Sequence, residues 1–189
     1  MSLLALAAAL GGVLVPGHPS VQPWPIGPGP AYRPAATFAA VKAGEPLGAL
    51  RCGPPGAVFA LHLELFAERR VVVVPAGIGV ASPSLQVGAS VLARGCTYPL
   101  STLNPAGIVE VRRGMSLRLA DLFTIWGQPL GARRLASFHS SEPVRAYVGG
   151  HLFRGPLASI PLTPHAEIVL ELGGYVPPHP FFLFAGGSS

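Results

Sequence analysis

The stretch from Cys96 to Gly127, CTYPLSTLNPAGIVEVRRGMSLRLADLFTIWG, constrains the fold more than any other part of the chain. It opens with a short strand, CTYPL, and turns through Asn104-Pro105-Ala106-Gly107, a run of residues suited to turns. A second strand, GIVEVR, follows, with Val109 and Val111 on one face and Ile108, Glu110 and Arg112 on the other. Leu119, Leu122, Phe123 and Trp126 then recur at helical spacing and define one apolar stripe. Ser116 is the candidate N-cap, Gly127 is placed to end the helix, and Pro129 stands just beyond it. A helix of about ten residues is marginal alone, so its stripe must lie on a sheet.

The flanking segments supply that sheet. In AVFALHLELF, Phe59, Leu61, Leu63 and Leu65 alternate with Ala60, His62 and Glu64, the period of a strand with one apolar face. His62 and Glu64 therefore share the face turned away from the leucines. A turn over Ala67 to Arg70 leads into the β-branched run Val71 to Val74, which predicts a hairpin. Residues 82–94 carry no clean period. Pro143 to Phe153 reads as strand, Gly149-Gly150 turn, strand, and Ala166 to Leu172 alternates again with Ile168, Leu170 and Leu172 inward. The terminal Pro177-Pro178-His179-Pro180 segment with Phe181, Phe182 and Phe184 is expected to cover a sheet edge or one end of the core. The expected class is α+β, mainly β: antiparallel sheets with one short helix packed on them, as a single domain over 56–189.

The segments before it differ in kind. Leu3 to Val15 is an uncharged apolar run, too short to span a bilayer as a helix and of the length of a secretory signal core, although no basic residue precedes it. Residues 16–55 hold ten prolines, and the expectation is a linker with polyproline II character. Trp24 and Tyr32 within it could engage a proline-recognition module, but a spacer is the simpler account. The basic excess is arginine, 12 against the single Lys42, and falls in isolated pairs such as Arg112-Arg113. Nucleic-acid binding calls for a basic stripe with interleaved aromatics, and none is present.

Cys52 and Cys96 stand 44 residues apart, the wrong spacing for a redox pair or a zinc ribbon. In an exported chain that even count favours one disulfide, and in a cytosolic chain two buried thiols.

VFALHLELFAERRVVVVPAGIGV and GCTYPLSTLNPAGIVEVRRGMSLRLADLFTIWGQPL, with VRAYVGGHLF and IPLTPHAEIVLELG further on, resemble a family of uncharacterised bacterial envelope proteins. The likeness spans about residues 50–186. Its most specific points are the turn from Pro75 to Gly79, Cys96, the Leu119 to Gly127 helix and the strand entry His165-Ala166-Glu167-Ile168. Family members carry an HxHxH strand and a CxYWLHTHD motif, and the resemblance implies a metal site, because imidazoles on alternate strand positions can converge on zinc or copper. Here the HxHxH positions are Ala60, His62 and Glu64, the HTHD positions include Ser101, Leu103 and Asn104, and a further histidine position is Glu110. Leu103 and Ala60 cannot bind an ion. His62, Glu64 and Glu110 remain as a one-histidine, two-carboxylate set, weighed against a plain solvated polar face.

Trp126, Gly127 and His165 read as structural residues, His165 satisfying a backbone group at a strand entry. Ser101, His62 and a glutamate could be written as a triad, but no nucleophile-elbow or phosphate-binding motif accompanies them, so no enzyme is expected. The expected function is that of a non-enzymatic extracytoplasmic binding or structural module of the envelope, with an eroded metal site and no cofactor. The alternative is a divalent transition-metal protein, for zinc or copper, using His62, Glu64 and Glu110. Association with the membrane or envelope would run through the N-terminus, and a protein partner would meet the aromatics near Phe181.

Overall fold

The computed structural model describes residues 32–34 and 39–184. The apolar run Leu3 to Val15 and half of the proline-rich segment, residues 16–31 and 35–38, lie outside these.

The described elements run α1 (Ala39–Ala43), β1 (Val58–Ala67), β2 (Arg70–Val71), β3 (Ser84–Val87), β4 (Ser90–Ala93), β5 (Leu100–Ser101) and β6 (Ile108–Arg112). After them come α2 (Leu119–Trp126), β7 (Leu130–Gly131), β8 (Arg134–Leu135), β9 (Phe138–His139), β10 (Arg145–Val148), β11 (His151–Phe153) and β12 (Glu167–Leu172). The main sheet has the order β11-β10-β12-β1-β6-β5, with β2 also on β1. The class is the α+β, mainly β one expected, but the sheet is mixed: β1 and β12, at its centre, are parallel.

The leucine row of β1 lies on the core side, where Leu61, Leu63, Val109, Val111, Ile168 and Leu170 are all buried together with the stripe of α2. At the end of β1, Glu68 and Arg69 form a two-residue turn with φ of 51° and 61°, the left-handed geometry that a tight hairpin requires. The ambiguous residues 82–94 form the β3-β4 hairpin, whose Leu85, Val87 and Leu92 are exposed.

Two expectations are corrected. Helix α2 is capped at Arg118, not Ser116: the Asp121 carboxylate accepts from the Arg118 N–H at 2.8 Å. The chain stays extended through Leu117 because its carbonyl accepts from the Leu162 N–H at 3.0 Å. Gly127 does end the helix, with φ of 73°. The described part of residues 16–55 is not a free linker. Val41 and Leu50 are buried in the core, Tyr32 bridges to Val72, and Gly53 pairs with Thr97. Proline and glycine there shape a packed irregular segment, which their abundance alone does not distinguish from a spacer.

Candidate metal centre

Strand parity builds the site. On β1, His62 and Glu64 point away from the leucine row; the register of β12 sets Glu167 beside His62 and places Glu171 on the same face. This face is not the solvated one that composition suggests. His62 is 5% exposed, Glu167 2% and Glu171 1%, because the segment after β12 folds back over them. Its Val176 N–H donates to Glu171 Oε1, His179 Nδ1 approaches Glu64 Oε2 at 2.8 Å, and the Phe182 ring stacks on His62 with centroids 3.9 Å apart. Phe182 and Phe184 turn inward, while Phe181 and Leu183 alternate outward.

His62 is held at both nitrogens. Nε2 donates to the Ala106 carbonyl at 2.9 Å, and Nδ1 lies 2.9 Å and 3.0 Å from the two oxygens of Glu167. The Asn104 to Gly107 turn presents that carbonyl: the Ala106 N–H donates to Asn104 Oδ1, and Gly107 has φ of 77°. A Cβ on Gly107 would fall 2.5 Å from the Leu63 carbonyl oxygen and 3.0 Å from His62 Nε2, so only glycine fits beside the imidazole.

One atom each from His62, Glu64 and Glu167 lies within 4.8 Å of the others. His179, bonded to Glu64, stands at the outer edge of the group and is exposed. Burial raises the pKa of Glu167, and the hydrogen bond and charge of His62 pull it partly back.

Glu110 is not in this cluster. It lies opposite Ala60 on β6, where Ser101 donates to it at 3.4 Å, and burial raises its pKa. The second acid of the group is therefore Glu167, not Glu110; the inward placing of Ile168, Leu170 and Leu172 already put it on the His62 face. His165 stands at the entry to β12: its N–H donates to the Ala60 carbonyl at 2.8 Å, its φ is 58°, and its ring meets Phe184. Trp126 is buried in the core.

Glu171 Oε2 is buried with no hydrogen-bond partner among the described residues, and desolvation raises the pKa of this carboxyl. A carboxyl with a raised folded-state pKa favours the folded protein below its unfolded value, near 4.3, and loses that contribution as pH rises through the folded value. Glu171→Gln keeps an acceptor for Val176 and removes the buried charge. It should stabilise the protein at neutral pH by on the order of 1 kcal/mol, a gain that closes near pH 4 in urea melts.

Cys52 and Cys96 form a disulfide with Cα atoms 5.5 Å apart. Among the described residues, no helix is long and apolar enough to cross a membrane. Compared with protein-family models, curated proteins and solved structures, the chain matches none.

Proposed function

We propose that the domain binds a divalent transition-metal ion through His62, Glu64 and Glu167, with His179 as a fourth donor, and acts by binding rather than by catalysis. The observation that carries this is the pairing of acceptors at His62. Its Nε2 proton is committed to the Ala106 carbonyl, so the Nδ1 lone pair faces the Glu167 carboxylate, and a cation must sit between them. That cation is a second proton or a metal ion. A carbonyl that fixes the tautomer of a histidine is the usual outer support of a ligating imidazole, and two carboxylates beside it match zinc or copper. The Cys52–Cys96 disulfide supports an oxidising, extracytoplasmic compartment for the domain, as a secreted or envelope module.

The test is elemental analysis of protein purified without a histidine tag, followed by calorimetric titration with zinc and with copper(II). One ion per chain is expected, with affinity falling in acid as protons compete for Nδ1, and with binding lost in His62→Ala and weakened at least tenfold in Glu167→Gln. Absence of stoichiometric metal in the parent protein, before and after titration, would leave the proton as the bridging cation and the His62–Glu167 pair as a structural strut.

A further inference from the structure

On the other side of β1 from Glu167, the same sheet face opens into a pocket of about 290 Å³. Val58, Leu92, Pro99 and Leu103 give it apolar walls, and Ser101, Glu110 and Arg112 supply polar groups. The volume lies at the small end of ligand sites, enough for a molecule of about ten heavy atoms.

Glu110 is the unexplained group. Among the described residues its carboxylate receives one hydrogen bond, the long one from Ser101 at 3.4 Å, and forms no ion pair. Arg112, two residues on and on the same face, does not neutralise it. The Arg112 Nη2 instead donates to the Pro54 carbonyl at 3.1 Å and the Thr97 carbonyl at 3.0 Å. An acid is thus held among apolar walls with most of its acceptor capacity unused, at a cost that a matching donor would offset.

We infer that this pocket binds a small amphiphilic amine, its ammonium group donating to Glu110 and its apolar body lying against Val58, Leu92, Pro99 and Leu103. A charge-assisted hydrogen bond to the carboxylate supplies orientation, and the walls supply area. Leu92 and Ala93 belong to the β3-β4 hairpin, which the Val91 N–H ties to the Leu103 carbonyl at 2.8 Å, so the hairpin and the segment after β5 form adjoining walls of the pocket.

Calorimetric titration of the full chain with phenethylamine, in EDTA to keep metal ions out of the comparison, tests this. Saturable one-to-one binding is expected, weakened about 10- to 100-fold by Glu110→Gln and by exchange of the amine for 2-phenylethanol. Val58→Trp, at an exposed strand position, should fill the pocket and abolish binding. No saturable binding, or equal affinity for amine and alcohol, would overturn the assignment. The amine and alcohol comparison needs only the parent protein and decides the matter even if Glu110→Gln does not fold.

Discussion

Trp126→Ala should destabilise the protein by about 3 to 5 kcal/mol, a large share of what a single domain has to lose. Trp126 is 1% exposed and closes the stripe that starts at Leu119. Its ring lies 5.4 Å from that of Phe123, so truncation removes both the burial of the indole and a contact within the helix. At eight residues α2 cannot hold its own shape, and loss of its largest anchor should loosen the facing side of the sheet as well. Urea unfolding followed by circular dichroism measures this, since the substitution removes a fluorophore. A loss under about 1 kcal/mol would mean that the surrounding side chains refill the space.

Replacing both Cys52 and Cys96 by alanine should cost about 4 kcal/mol, the loop-closure value for a 44-residue separation. The effect should also be local. The disulfide stands beside the Gly53–Thr97 pairing and ties down the segment that carries Val41 and Leu50 into the core. Hydrogen exchange in the double variant should therefore speed up first over residues 39–55. Unchanged protection there would show that buried side chains alone hold the segment.

Local pattern carried much of the architecture. The alternation from Phe59 to Leu65 and the stripe from Leu119 to Trp126 each commit one face to burial, and such commitments are visible without knowing any neighbour. Pairing is not visible in that way. That β12 lies parallel to β1 follows from where a long crossover returns; its register sets Glu167 against His62, while the register of β6 sets Glu110 against Ala60. His179 was passed over for a related reason: a histidine among prolines resembles surface until the strap that carries it is seen to lie on Glu64. Val41 and Leu50 sit in a segment whose composition suggests a spacer, and only their burial distinguishes it from one.

The central parallel pair also bears on how the molecule comes into being. His62 and Glu167 are 105 residues apart, so their meeting closes a long loop, at an entropic cost that rises with its length. A nascent fragment lacking β12 could not assemble the cluster. Capture of an ion there would thus mark a finished chain.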